Sequence, residues 1–126
     1  MFIKIEIDSD VPIYTQLANE LIEGIANESL QPGDSLPSVR SLAGDLGINM
    51  HTVNKAYREL DNKGIIQIIP KSGAVVSTPT SGEASLLRVE TAMRPVIAEA
   101  MAIGLSENEI VSMMKELFFK IKEVRP

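Results

Sequence analysis

The chain has 126 residues with no cysteine and one histidine; 44% of the residues are hydrophobic, 23% are charged, and the formal net charge is −5. This composition predicts one soluble domain, or a small domain with an appendage, and the lack of cysteine excludes disulfides and thiolate metal sites, which fits a cytoplasmic protein. We expect no membrane span and no secretion signal, and the acidic balance argues against a protein that coats nucleic acid without sequence preference.

The first thirty residues predict a short strand followed by a helix. Apolar and polar residues alternate from Phe2 to Asp8, which is typical of a strand with one apolar face, formed by Ile3, Ile5 and Ile7. Asp10 and Pro12 then mark a helix start. Apolar residues recur at helical spacing after them, so the first helix is predicted from about Pro12 to Glu28.

Two short helical patterns come next, separated by a glycine, and they predict a helix-turn-helix. Ser38 is placed to cap the first of these helices, Gly47 to form the turn, and Asn49 to cap the second. The second helix has a buried stripe at helical spacing, formed by Val53, Ala56, Tyr57 and Leu60. At about 100° per residue, the opposite face presents His51, Asn54, Lys55 and Arg58, with Thr52 at its edge.

This outward face has the residue types that bind DNA. Arg40 or Lys55 can neutralise phosphates, and Asn54 can pair with N6 and N7 of adenine. Each of these residues also has an alternative explanation without DNA: the charges form a solvated surface, Asn49 caps a helix rather than reading a base, and His51 is an ordinary exposed histidine.

An apolar hairpin follows the second helix. Gly64 is predicted to close that helix, and Ile65–Ile69 and Ala74–Ser77 are predicted to be strands. The turn between them contains Lys71 and Gly73, which gives the hairpin a basic tip. A helix-turn-helix followed by such a hairpin is a winged helix-turn-helix.

The remaining residues predict a separate two-helix segment. We place the boundary at a linker-like stretch, so that residues 1–78 form the winged helix and residues 79–126 form the tail. Gly104 ends the first tail helix, which Pro95 is expected to kink, and Ser106 with Glu109 forms a capping box for the second. Each helix has an apolar stripe that the other cannot fully cover, so we predict burial against a second subunit.

The sequence contains few residues that could support catalysis or metal binding. One histidine and no cysteine leave most metal-assisted and nucleophilic mechanisms without their groups, so we predict no enzyme activity, no metal and no cofactor. Four methionines of the tail are better explained as the core of a dimer interface than as the lining of an effector pocket, which is the alternative: Met93, Met101, Met113 and Met114.

Several spaced motifs together resemble the winged-helix domain of GntR-family bacterial transcriptional regulators over about residues 10–78. They are Pro12-Ile13-Tyr14 with Gln16-Leu17, Pro32-Gly33, Leu36-Pro37-Ser38 with Arg40, Leu42-Ala43, Asn49, Thr52-Val53, Ala56-Tyr57, Leu60, Gly64-Ile65-Ile66 and Gly73. The two-helix tail is similar in length and pattern to the YtrA subfamily. Two departures from the family pattern are Met50 and Asn54, where many relatives have arginines, and Lys71, which replaces a wing glycine.

The resemblance implies where DNA is touched. Arg40 is expected at a phosphate or groove edge. The second helix of the helix-turn-helix is expected to enter the major groove with its first residues, and the wing tip is expected to enter the minor groove. The candidate DNA-binding residues are Ser38, Arg40, Asn49, His51, Thr52, Asn54, Lys55, Arg58, Lys71 and Gly73.

The sequence therefore predicts a mainly α fold with a small β wing, followed by a two-helix dimerisation tail. The predicted function is a sequence-specific transcriptional regulator, most simply a repressor that binds double-stranded operator DNA of palindromic sequence as a homodimer. Two alternatives stay open: a winged helix used for protein–protein contact, and a regulator with an effector site at its dimer interface.

Overall fold

The structure is a computed structural model that describes residues 3–80 and 82–123. The chain divides into two compact units, one containing the residues up to Pro79 and the other Thr80–Glu123. In the first unit the helices are α1 (Ile13–Ala26), α2 (Val39–Leu46) and α3 (Met50–Asn62), and the strands are β1 (Ser35–Leu36), β2 (Ile66–Ile69) and β3 (Gly73–Val76). The second unit contains α4 (Glu83–Ala102) and α5 (Glu107–Lys122).

The three helices of the first unit pack around one apolar core. The stripe predicted on α3 is confirmed, since Val53, Ala56, Tyr57 and Leu60 are all 0% exposed. Leu17 and Leu21 of α1 are as fully buried and belong to the same cluster. Burial of side chains of this size contributes about 1.5–3 kcal/mol each, so this core fixes how α3 is rotated about its axis.

The sheet has three antiparallel strands in the order β1-β3-β2. The two longer strands were predicted, within one residue at each end, and β1 was not. In β1, Ser35 pairs with Val75 and Leu36 pairs with Ala74. Two residues are too few to show an alternating pattern, so this strand has no signature in the sequence.

The strand predicted near the N-terminus is wrong for residues 3–8, while Phe2 lies outside the described residues. The side chain of Gln16 provides the hydrogen bonds that a neighbouring strand would have provided. The Glu6 N–H donates to Gln16 Oε1 at 2.8 Å, and Gln16 Nε2 donates to the Glu6 carbonyl at 3.0 Å. Ile3 and Ile5 still pack against the core, but Ile7 is 78% exposed instead of sharing their face.

The second unit contains the two predicted amphipathic helices. The capping box is confirmed: Ser106 Oγ accepts the Glu109 N–H at 3.1 Å, and Glu109 Oε1 accepts the Ser106 N–H at 2.9 Å. These two hydrogen bonds favour the ionised carboxylate and lower the pKa of Glu109. Pro95 lies inside α4, which continues through it. None of the helices in residues 3–80 and 82–123 is both long and apolar enough to cross a membrane.

Tyr57 makes a testable contribution to stability. Its hydroxyl donates to the Pro37 carbonyl at 2.8 Å, and burial raises its pKa from 10.0 to about 12. Because the folded pKa is the higher one, the stabilisation from the neutral phenol is complete below pH 10.0 and is lost as the pH rises towards about 12. We expect Tyr57→Phe to lower the free energy of unfolding at neutral pH by about 1 kcal/mol.

Urea unfolding at a series of pH values measures both effects. Tyr57→Phe lacks an ionisable group at this position, so its stability is expected to fall less steeply than that of the wild type in the alkaline range. Parallel curves for the two proteins would contradict the assignment.

Candidate nucleic-acid interface

The N-terminus of α2 is fixed by Ser38. Its hydroxyl accepts the Ser41 N–H at 3.1 Å, so the predicted cap is confirmed. Arg40 is the second residue of the helix and is exposed. The cap therefore stabilises the first turn of α2, which carries the Arg40 guanidinium at the surface.

The turn between α2 and α3 needs a glycine. Gly47 has φ +68°, in the left-handed region, and Ile48 N–H returns to the Ala43 carbonyl at 3.1 Å. Asn49 then caps α3, because its Oδ1 accepts the His51 N–H at 2.7 Å. The capping role predicted for Asn49 is confirmed by this bond.

The outward face of α3 is polar, as predicted. His51, Lys55 and Arg58 are exposed, and Thr52 and Asn54 are half-buried. The ammonium of Lys55 lies over the ring of Tyr14, 4.0 Å from its centroid. The sequence analysis did not predict this cation–π contact, which depends on how α1 and α3 pack and has no local signal.

The wing is formed by β2, β3 and a tight turn. The Ser72 N–H donates to the Ile69 carbonyl at 3.0 Å, and Lys71 adopts φ +68°. A lysine therefore takes the left-handed conformation where the family pattern has glycine, at a cost of about 1 kcal/mol. Gly73 cannot be replaced so easily: it has φ +98°, and a Cβ there would overlap the Leu36 carbonyl oxygen and lie 3.0 Å from the Pro37 carbonyl group.

An open groove of about 440 Å³ lies where α2, α3 and the wing meet. Its lining residues come from all three elements and are Ser38, Val39, Arg40, Met50, Asn54, Ile68, Ile69, Lys71 and Gly73. We call this the wing groove. It brings together five of the predicted site residues, Ser38, Arg40, Asn54, Lys71 and Gly73, while Asn49, His51, Thr52, Lys55 and Arg58 do not line it.

Sequence reasoning missed the apolar part of the wing groove. Met50 lies four residues before Asn54, and this spacing alone places it on the same side of α3. Ile68 and Ile69 were assigned to a strand without a role at the surface. Their place in the groove depends on the packing of the wing beside α3, which local patterns do not reveal.

The wing groove is cationic. Arg40 and Lys71 contribute to its lining, and none of its lining residues is acidic. A concave surface with charges of one sign concentrates ions of the opposite sign, so the groove favours an anionic partner. The residues that the structure describes contain no cluster of histidine or carboxylate groups that could hold a metal ion.

Comparison with known proteins identifies the family. The family described as "Bacterial regulatory proteins, gntR family" matches residues 13–76, which is just over half of the chain. The chain belongs to the GntR family. This GntR-family protein is accordingly a transcriptional regulator with a DNA-binding helix-turn-helix, not an enzyme.

The match to GntR-family relatives extends beyond the winged helix. The HTH-type transcriptional repressor YtrA of Bacillus subtilis (strain 168) is 32% identical over 123 residues, covering 95% of each chain. YtrA from Sulfolobus acidocaldarius, a GntR-family transcription factor of known structure, is 39% identical over 96% of this chain and 100% of its own, with a TM-score of 0.62. A transcriptional antiterminator from Listeria monocytogenes EGD-e is 28% identical with a TM-score of 0.86, covering 100% of this chain and 96% of its own. The resemblance to the YtrA subfamily and the predicted fold class are thereby confirmed.

The close approach at Gly73 of this GntR-family protein predicts a large effect of a single methyl group. Gly73→Ala is expected to lower the free energy of unfolding by about 2 kcal/mol or more, since it combines a positive φ with overlap against the backbone. Gly44→Ala is the matched control, because Gly44 lies in α2 with open space around its Cβ position. That substitution is expected to stabilise the protein by about 0.5–1 kcal/mol.

Denaturant unfolding of both variants measures the difference. Equal shifts in the same direction would show that the backbone contact at Gly73 has no energetic consequence.

Proposed function

We propose that this GntR-family regulator binds a palindromic operator as a homodimer and represses transcription by excluding polymerase from the promoter. The observation that carries the proposal is the wing groove, where α2, α3 and the wing bring Arg40, Asn54 and Lys71 to one acid-free surface. Such a regulator acts in the cytoplasm, where a bacterial chromosome lies.

In this proposal the N-terminal half of α3 enters the major groove. Asn54 pairs with an adenine edge, and His51 and Thr52 lie near the same bases at the helix start. Asn49 contributes by capping the helix, since its side-chain oxygen already accepts a backbone N–H.

The cations of the interface bind the phosphate backbone. Arg40 contacts a phosphate from the capped end of α2, where Ser38 holds the first turn, and Lys71 follows the backbone beside the minor groove at the wing tip. Gly73 allows the wing to approach the Leu36 carbonyl, which sets the position of that tip. Lys55 and Arg58, farther along α3, supply additional charge, with Lys55 oriented by the Tyr14 ring.

The second unit supplies the dimer interface. None of the residues of α4 is buried within the chain, and Leu86 and Val89 are more than half exposed. On α5 only Ile110 is buried, while Leu117 is 50% exposed. Pairing of two copies through these stripes removes this apolar surface from water, and a two-fold dimer provides one α3 helix for each of two operator half-sites, which lie about 34 Å apart on DNA.

The role as a repressor is supported by YtrA of Bacillus subtilis, which is named a repressor. Three routes to release of the operator stay open: an effector at the dimer interface, action through another protein, or no dedicated signal. A winged helix that binds protein instead of DNA is the competing function, and the salt dependence of DNA binding separates the two.

Two substitutions in the wing groove should weaken binding in different ways. Arg40→Ala is expected to weaken binding to all duplexes and to reduce the slope of log affinity against log salt by about 0.9 per protomer. Asn54→Ala is expected to lower affinity for the operator by about 1–3 kcal/mol while changing binding to unrelated duplexes little. Fluorescence anisotropy over a salt series measures both.

Lys63→Ala is the charge-matched control for Arg40→Ala. Lys63 follows the last residue of α3, about 20 Å from Met50, and pairs with Glu59 at 3.5 Å. Its removal is expected to leave the salt slope unchanged. A wild-type protein that shows no salt-dependent binding to any selected duplex would exclude the DNA-binding proposal, and unchanged discrimination in Asn54→Ala would exclude the role of that side chain.

The dimer is tested on α5. Leu117→Glu places a charge in the middle of the exposed apolar stripe and is expected to shift the protein from dimer to monomer in sedimentation experiments, with loss of operator affinity. Ser112→Glu adds the same charge on the opposite side of the helix and is expected to leave the dimer intact. A monomeric wild type, or dimers in both variants, would contradict this interface.

A further inference from the structure

Met50 is the unexplained residue of the wing groove. It is the first residue of α3 and is 41% exposed, although the inward residues of the same helix are fully buried. Core packing therefore does not account for it. Side chains on a helix tilt towards its N-terminus, so Met50 projects towards the end of α3 that enters the DNA in the proposed function.

Met50 lies beside Asn54 and two other apolar residues. The spacing of four residues puts Met50 and Asn54 one turn apart on the same side of α3. Ile68 and Ile69 of the wing are half-buried in the same groove. The amide of Asn54, which can bind a base edge, thus lies next to an apolar surface. Met50 contributes an unbranched, polarizable side chain to that surface.

We infer that Met50 determines specificity by contacting the C5-methyl group of a thymine next to the base pair that Asn54 reads. The thymine methyl is the apolar feature of the major groove, and a methionine can follow its position without a fixed hydrogen-bond geometry. This inference rests on the proposed function and adds to it the class of sequence recognised: each half-site contains a thymine in the base pair next to the one whose adenine Asn54 binds.

The test removes the methyl group from the DNA and the thioether from the protein. Operator duplexes are selected from a random pool with the wild-type protein, and each thymine is replaced in turn by deoxyuridine, which lacks only the methyl group. At one thymine per half-site, wild-type affinity is expected to fall about fourfold per methyl removed. Met50→Ala is expected to bind the thymine and deoxyuridine duplexes equally.

Two further variants distinguish this contact from a general loss of fold. Val11→Ala removes an exposed apolar side chain that does not line the wing groove, and this variant should keep the full sensitivity to deoxyuridine. Met50→Arg introduces a donor that pairs with O6 and N7 of guanine, so a new selection with this variant is expected to replace the sensitive thymine by guanine.

The outcomes separate the inference from the proposed function. Equal sensitivity to deoxyuridine in the wild type and Met50→Ala, insensitivity at every thymine, or selected half-sites that lack a thymine in the base pair next to the adenine would each overturn the inference, while sequence-specific, salt-dependent binding left the proposed function standing. Absence of binding to any duplex would overturn both.

Discussion

The segment Leu36–Pro37–Ser38 joins the wing, α3 and α2, and the candidate interface depends on it. Leu36 is buried and pairs with Ala74 of the wing, while the Pro37 carbonyl accepts the hydroxyl of Tyr57 from α3. Ser38 then caps α2. Because one residue of this segment holds the wing, the next holds α3 and the last begins α2, the three walls of the wing groove keep a fixed relation to one another.

This arrangement explains why the wing groove depends on residues that offer no side-chain group to a partner. Tyr57 is fully buried, yet its hydroxyl sets the position of the chain just before Arg40. Gly73 has no side chain, and its lack of a Cβ lets β3 lie against the backbone of Leu36 and Pro37. Both residues position the groove without presenting a group to a partner, so the polar face of α3 and the wing tip depend on apolar packing and backbone contact behind them.

Local rules predicted much of this structure, and tertiary contacts account for what they missed. The caps at Ser38 and Asn49, the turn at Gly47 and the buried stripe of α3 follow from rules that act within about eight residues. The strand near the N-terminus was wrong because Gln16, from α1, satisfies the backbone of Glu6. The wing groove was predicted only through its polar members, since neither the two-residue strand β1 nor the approach of Ile68 and Ile69 to Met50 leaves a periodic pattern in the sequence.

The acidic net charge is compatible with a cationic interface because charge acts locally. At ordinary ionic strength the field of a charge is screened within about 8–10 Å, so a partner in the wing groove experiences Arg40 and Lys71 more than the total of −5. Acidic side chains do cluster elsewhere in the first unit, where Glu6, Glu20 and Glu23 line another surface depression. Phosphate contacts carry no sequence information, so under the proposed function the discrimination between the operator and other DNA comes from base contacts. These base contacts are repeated in the two half-sites. A single amide or methyl contact can therefore decide where the protein binds.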